Sequence, residues 1–131
     1  MSPPLETFHP LIARWFTGRL GEPTEVQKRS WPSIAAGRHV LVSAPTGTGK
    51  TLAYLLPGMT RLLSRPAGGD TRPRMLVVTP TRELAAQVAA HATDLGRYTR
   101  LRVVAVYGGE SMGAQIRALV EEVRNLARKD P

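Results

Sequence analysis

The sequence contains no cysteine and no apolar run long enough to cross a membrane. Without cysteine, the chain can form neither a disulfide nor a thiolate metal site, which favours a reducing compartment. The first residues, Met1–Glu6, lack the basic stretch followed by an apolar run that is typical of a signal peptide. A transmembrane helix needs about 20 apolar residues, and no segment approaches that length. We therefore expect a cytoplasmic protein with no membrane partner.

Acidic residues are scarce relative to basic ones. Lysine and arginine total 18 against 10 aspartate and glutamate residues, which gives a net charge of +8 and a pI near 11.0. An excess of this size favours a polyanionic partner such as nucleic acid. Only three basic residues are lysines, so the alternative is a soluble protein from an arginine-rich proteome. The 131 residues, of which 42% are hydrophobic, suffice for one domain with its own core.

The most informative segment is a run rich in glycine and threonine, Ala44–Thr51. The preceding residues 39–43 are typical of a buried strand, and residues 52–56 are typical of the start of a helix. In this setting, two glycines allow the backbone to turn several N–H groups toward one anion, and the helix N-terminus adds partial positive charge. The pattern predicts a phosphate-binding loop for a nucleoside triphosphate.

The residue types in the loop indicate their roles. Lys50 is long enough to reach the β- and γ-phosphates, and the hydroxyl of Thr51 is suited to hold Mg²⁺. We therefore predict catalytic roles for Lys50 and Thr51, with Thr51 also the metal ligand. The residues predicted to bind the nucleotide are Ala44, Pro45, Thr46, Gly47, Thr48, Gly49, Lys50 and Thr51.

The rest of the chain alternates helical and strand patterns. Strands that alternate with helices in this way indicate a parallel sheet with helices on both faces, whose ligand lies at the carboxyl ends of the strands. Gly18 and Gly21 are expected to break the first helix. Strands are predicted over residues 39–43, 75–79 and 101–107. Helices are predicted over residues 7–18, from an N-cap at Thr24 to Ala36, from the loop to about Leu63, over Thr81–Leu95 and after Ser111.

A second motif, Pro23–Gln27, precedes the loop. A glutamine side chain offers a donor and an acceptor together, and adenine presents the matching pair at N6 and N7. An aromatic ring from Phe8, Trp15 or Phe16 is expected to pack on the base. A solvated glutamine on a helix is the simpler interpretation, but the position of Gln27 before the loop favours a role in nucleotide binding.

Four segments lie in register with one plan of strands and helices: Pro23–Gln27, the loop Ala44–Thr51, Pro80–Gln87 and Tyr107–Gly109. Together they resemble the first RecA-like domain of superfamily 2 helicases, and of DEAD-box ATP-dependent RNA helicases in particular. The resemblance extends to about Ala118. It implies an α/β fold of the P-loop RecA-like type, in which residues 1–131 form an incomplete N-terminal domain. The motifs are Pro23-Thr24-x-x-Gln27 (Q motif), the loop (motif I), Pro80–Gln87 (motif Ia) and Tyr107–Gly109 (double-glycine motif).

The resemblance also implies cofactors and partners. Thr24 and Gln27 would recognise adenine, so ATP and Mg²⁺ are the expected cofactors. The implied function is that of an ATP-dependent RNA helicase, which unwinds or remodels RNA duplexes. Backbone amides at glycines and helix N-termini bind phosphates without reading base sequence. The residues that would hold the sugar-phosphate backbone of a single strand are Pro80, Thr81, Arg82, Gly108 and Gly109.

The chain also departs from the family pattern. Residues 8–31 resemble large helicase-related proteins that act on DNA or mixed duplexes, so a DNA helicase fragment is an alternative. The Asp-Glu-Ala-Asp (Walker B) motif, which holds Mg²⁺ and positions water, is absent, as is the second RecA-like domain. The acidic pair Glu121-Glu122 is assigned to a solvated helix face. We therefore expect this chain alone to be inactive, and a truncated nucleotide- or RNA-binding module is the other alternative.

Overall fold

The computed structural model describes residues 5–65, 72–108 and 113–118. The chain divides into two compact units, Met1–Arg65 and Pro66–Pro131. Residues 113–118 are helical, within the helix predicted after Ser111, whereas Ser111 itself lies outside the described residues. No helix in these ranges combines the length and the apolar character needed to cross a bilayer. The longer helices are α1 (Pro10–Leu20), α2 (Glu25–Ala35) and α3 (Lys50–Ser64) in the first unit and α4 (Arg82–Leu95) in the second.

An aromatic cluster forms the centre of the first unit, in which α3 packs against α1 and α2. Trp31 of α2 makes edge-to-face contacts with Phe8 and Phe16, with ring centroids 4.9 and 5.6 Å apart. Its indole N–H donates to the carbonyl oxygen of Leu52 at 3.2 Å, so the buried donor is satisfied. This contact ties α2 to the first turn of α3. Other buried apolar side chains of the unit include Leu5, Ile12, Ala13, Leu52, Ala53, Leu55, Leu56 and Met59.

The helix ends of the first unit follow the local sequence with two corrections. The prediction that Gly18 breaks α1 is wrong, because the helix continues through Gly18 to Leu20, with Gly21 as its C-cap at a φ of 76°. Glycine inside a helix costs only about 1 kcal/mol relative to alanine, which packing can offset. The N-cap predicted at Thr24 is confirmed. The helix that follows continues through Pro32 to Ala35, one residue short of the prediction.

In the second unit, α4 confirms the helix predicted over Thr81–Leu95. Thr81 is its N-cap, and the Thr81 Oγ1 accepts a hydrogen bond from the Leu84 N–H at 3.1 Å. The apolar side chains along one face of this helix are buried at Val88 and Leu95 and half-buried at Leu84. Further along the chain, the Tyr107 N–H donates to Oε1 of Gln115. This bond links residue 107 to the helical residues 113–118.

The predicted strands are not present: the part of the chain that the structure describes contains no β-strand. Nor are the apolar side chains buried as predicted, since Leu41, Leu76 and Val78 are 96%, 86% and 82% exposed. A strand is stable when a neighbouring strand pairs with its backbone and another element covers its side chains. Apolar runs show which residues favour burial, but they do not supply those partners. The predicted sheet is therefore not confirmed at residues 39–43, 75–79 and 101–107.

Candidate nucleotide-binding site

The predicted phosphate-binding loop lies at the N-terminus of α3. Gly47 and Gly49 have φ values of 83° and 82°, in the left-handed region where residues with a side chain are strained. Gly49 is the N-cap of α3, and no side chain forms a capping hydrogen bond there. The N–H groups of the first turn are therefore not taken by a side-chain cap. Together with the partial positive charge of the helix N-terminus, they favour the binding of an anion.

Side chains within the loop bind its own carbonyl groups. Lys50 is exposed, and its Nζ donates to the carbonyl oxygen of Ala44 at 2.6 Å. The hydroxyl of Thr48 donates to the carbonyl oxygen of Pro45 at 2.7 Å. An ammonium has three donors, so Lys50 can keep this bond and still contact an anion. The Lys50 ammonium thus joins the two ends of the loop and stays exposed at the loop surface.

Thr24 and Gln27 hold the loop from α2. Gln27 is 2% exposed. Its Oε1 accepts from the Thr24 N–H at 2.9 Å, and its Nε2 donates to the carbonyl oxygen of Gly49 at 3.1 Å. The Thr24 hydroxyl accepts from the Gln27 N–H at 3.3 Å and donates to the carbonyl oxygen of Thr48 at 2.8 Å. The two residues therefore form a capping box that also binds two successive carbonyl groups of the loop.

This contact fills the space beside Gly49. A Cβ atom there would lie 2.3 Å from Nε2 of Gln27, whereas a Cβ at Gly47 would meet nothing within 4 Å. The spacing Thr-x-x-Gln is itself a capping-box signature, which the interpretation of Gln27 as an adenine reader left out. That role stays a prediction, and one N–H and the oxygen of the Gln27 carboxamide are bonded to the protein here.

Tyr54 is a neighbour of the predicted metal ligand that the sequence analysis missed. Partial burial raises the pKa of the Tyr54 hydroxyl, and the nearby side chain of Thr51 offsets part of that rise. Residues three apart on a helix lie on the same face. The spacing from Thr51 to Tyr54 was therefore a usable signal.

The three aromatic rings predicted as candidates for packing on the base differ in their exposure. Phe8 and Phe16 are 6% and 1% exposed, and both contact Trp31 in the core. Trp15 is half-buried, and the guanidinium carbon of Arg19 lies 5.9 Å from its ring centroid. Of the three candidates, Trp15 is the one that keeps exposed surface for a ligand.

The residues predicted to contact nucleic acid belong to the second unit. Pro80, Thr81 and Arg82 are exposed at the start of α4. Thr81 already has a structural role there as the N-cap. Gly108 is exposed, whereas Gly109 and the acidic pair at 121–122 lie outside the described residues. The start of α4 is thus an exposed helix N-terminus that carries a guanidinium.

Comparison with known sequences connects these motifs to one family. Residues 24–127 match the family model described as DEAD/DEAH box helicase. The chain is 51% identical over 87 residues to ATP-dependent RNA helicase SrmB of Escherichia coli (strain K12), which is 66% of this chain and 20% of that protein. It is 46% identical over 99 residues to ATP-dependent RNA helicase dbp2 of Aspergillus oryzae, 74% of this chain and 18% of that protein. The chain thus spans about a fifth of the length of these curated relatives.

Solved structures show the same likeness. The RNA helicase Prp28 from Chaetomium thermophilum, crystallised with ADP, aligns with a TM-score of 0.75 and 30% identity over 86% of this chain and 28% of that one. A hypothetical ATP-dependent RNA helicase from Sulfolobus tokodaii aligns with a TM-score of 0.68 and 41% identity over 88% of this chain and 31% of that one. These likenesses support the predicted RecA-like fold family.

Proposed function

Since the family model covers most of its length, this chain belongs to the DEAD/DEAH box helicase family, and on that premise we propose that it is the ATP-binding and RNA-binding part of an ATP-dependent RNA helicase. The observation that carries the proposal is the loop at the start of α3, where Gly47 and Gly49 adopt positive φ and Lys50 is exposed. Relatives named ATP-dependent RNA helicases at 51% and 46% identity support it.

We propose that the apolar segments without a strand partner belong to a parallel sheet in the complete domain. Each segment directly precedes predicted ligand-binding residues: the loop that starts at Ala44, the group that starts at Pro80, and Gly108. In open α/β sheets, ligands bind at the carboxyl ends of strands. The order of apolar segment and binding residues fits that rule at all three places. The segments are residues 39–43, 75–79 and 101–107.

The loop residues fit a triphosphate with Mg²⁺. The first amides of α3 and the Lys50 ammonium would hold the phosphates, and the Thr51 hydroxyl would hold the metal. When bound, ATP supplies the reactive phosphoanhydride. Thr24 and Gln27 fix the loop by binding the carbonyl groups of Thr48 and Gly49. The protein thus keeps the loop in place before the ligand arrives, which lowers the ordering cost of binding.

Adenine recognition by Gln27 would use the second N–H and the second oxygen lone pair of its carboxamide, beyond its bonds to Gly49 and Thr24, and the base would have to reach this buried group. If it does so, the chain should bind Mg-ATP more tightly than Mg-GTP, and Gln27→Ala should reduce that preference. Calorimetric titration with the two nucleotides measures both affinities. Equal affinity for ATP and GTP in the unsubstituted chain would contradict this role and leave Gln27 as a support of the loop.

We propose that the start of α4 and Gly108 bind the sugar-phosphate backbone of single-stranded RNA. The exposed N-terminus of α4 and the Arg82 guanidinium favour phosphate. RNA offers a 2′-hydroxyl that DNA lacks, so single-stranded RNA should bind more tightly than DNA of the same sequence. Fluorescence anisotropy with both strands tests this, and tighter binding of DNA would favour the DNA helicase alternative.

Hydrolysis is expected to need residues outside this chain. The sequence contains no Asp-Glu-Ala-Asp motif, and in this type of site an acidic residue helps to hold Mg²⁺ for phosphoryl transfer. We propose that these 131 residues bind ATP without turning it over. A phosphate-release assay with and without RNA should give no turnover above background. RNA-stimulated release by the chain alone would contradict the proposal.

A further inference from the structure

A hydrogen-bonded turn follows α4 in the second unit and presents an exposed aromatic ring. The Thr99 N–H and hydroxyl both donate to the carbonyl oxygen of Gly96, at 2.9 and 2.7 Å. The Leu101 N–H donates in turn to the Thr99 hydroxyl at 3.1 Å. Tyr98 lies within this turn and is 75% exposed. The local bonds therefore hold a large ring at the surface.

Two exposed arginines follow the ring. Arg100 and Arg102 are exposed on either side of the half-buried Leu101. Asp94 is paired with Arg97 at 3.0 Å. In the described part of this unit, the remaining acidic residue is Glu83, in the first turn at the other end of α4. The turn therefore carries net positive charge beside an exposed ring.

This combination matches the chemistry of single-stranded nucleic acid. An aromatic ring offers a face on which an unpaired base stacks, and guanidinium groups beside it bind phosphates. The Tyr98 ring and the Arg100 and Arg102 guanidiniums provide both groups within five residues of sequence. An acidic peptide would use the two arginines but would gain little from the ring.

We propose that Tyr98, Arg100 and Arg102 (the basic–aromatic turn) form a second contact for single-stranded nucleic acid. The inference rests on the proposed RNA-binding function but uses residues to which that function assigns no role. α4 has 14 residues, so at 1.5 Å per residue its two ends lie about 21 Å apart. The turn is therefore separate from the contact predicted at Thr81 and Arg82, and it would engage a different nucleotide.

The full chain can be tested by anisotropy with a labelled oligouridine over a range of salt concentrations. Tyr98→Ala should weaken binding about tenfold, because the ring that stacks on one base is removed. Tyr98→Phe should bind like the unsubstituted chain, because it keeps the ring. Replacing Arg100 and Arg102 together by alanine should reduce the slope of log affinity against log salt by about 1.4, roughly 0.7 for each phosphate that the protein no longer neutralises. Arg29→Ala, which removes one exposed charge from α2, is the matched control and should leave the slope unchanged.

The outcomes separate this inference from the proposed function. If the chain binds oligouridine and Thr81→Asp weakens binding while the three turn substitutions do not, the second contact is wrong and the proposed function stands. If the unsubstituted chain binds no RNA, both fail. Equal losses for Tyr98→Ala and Tyr98→Phe would overturn the stacking contact. Labelled poly-glutamate serves as a second probe. If the turn variants bind it less tightly but bind RNA as the unsubstituted chain does, the turn is a protein-docking surface and the nucleic-acid contact is overturned.

Discussion

At the scale of single residues, Gly49 is the described glycine at which an added side chain would meet the nearest neighbouring atom. Its φ of 82° disfavours any side chain. In addition, a Cβ atom would lie 2.3 Å from Nε2 of the buried Gln27. Gly47 has almost the same φ but an open surrounding. The same substitution made at each glycine therefore distinguishes the cost of backbone strain from the cost of steric overlap.

Gly49→Ala should destabilise the chain more than Gly47→Ala does. A side chain at positive φ costs about 1–2 kcal/mol at either position. Overlap with Gln27 should add about 1–3 kcal/mol at Gly49 alone. Urea unfolding of both variants measures the difference in the free energy of unfolding. In a Gln27→Ala background the difference between the two glycine variants should shrink, and its persistence would contradict the assigned overlap.

Tyr54 gives a prediction about pH. Burial raises the pKa of its hydroxyl above the ordinary value of 10.0 in the folded state. The neutral hydroxyl therefore contributes stability that is fully present below pH 10 and is lost as the pH rises through the folded-state pKa. Tyr54→Phe should lose stability less steeply above pH 10 than the unsubstituted chain. Urea unfolding at several pH values measures this, and parallel curves above pH 10 would contradict it.

At the scale of elements, Thr81 combines a structural role with a proposed binding role. It caps α4 and lies at the predicted nucleic-acid contact. A substitution that removes the hydroxyl would therefore affect both roles. Variants that keep the hydrogen-bond acceptor but change the charge can separate them.

Thr81→Ser should leave both stability and RNA binding unchanged, because serine is a good N-cap. Thr81→Ala should lower the free energy of unfolding by about 1 kcal/mol through loss of the cap. Thr81→Asp keeps an acceptor and favours the helix N-terminus, but its negative charge should weaken RNA binding. Thermal unfolding and anisotropy measure the two effects. Unchanged RNA affinity in Thr81→Asp would place the nucleic-acid contact elsewhere.

The helices were predictable from the sequence because their signals are local. The caps at Thr24 and Thr81 and the apolar spacing on α4 depend on residues within a few positions of each other. The strand prediction is not confirmed in the described residues, because a strand depends on partners distant in sequence. In the site, the motif spacing located the loop. The engagement of Gln27 with the loop carbonyl of Gly49 depends on how α2 packs, which the motif does not state.

At the scale of the whole molecule, exposed apolar segments accompany a high positive charge. Leu41 and Leu76 are 96% and 86% exposed, and the net charge is +8. Exposed apolar stretches with unpaired backbone groups promote association between chains. Charge repulsion opposes it, and salt screens that repulsion. The balance predicts self-association that increases with salt.

Leu41→Ser combined with Leu76→Ser should reduce this self-association without lowering the free energy of unfolding, because neither side chain is buried. Light scattering and urea unfolding measure the two quantities. Leu56→Ser is the matched control: Leu56 is fully buried, and its loss should cost about 2–5 kcal/mol. A comparable loss of stability in the Leu41 and Leu76 variant would show that these side chains are covered in solution.

The central claim, that the loop at the start of α3 binds the phosphates of ATP, is tested most directly by calorimetric titration of the folded chain with Mg-ATP. Lys50→Ala should weaken binding about 10- to 100-fold, since a charge-assisted bond is worth roughly 1.5–3 kcal/mol. Lys28→Ala, which removes an exposed lysine from α2, should bind like the unsubstituted chain. Equal affinity in all three proteins, or no binding by any of them, would contradict the account.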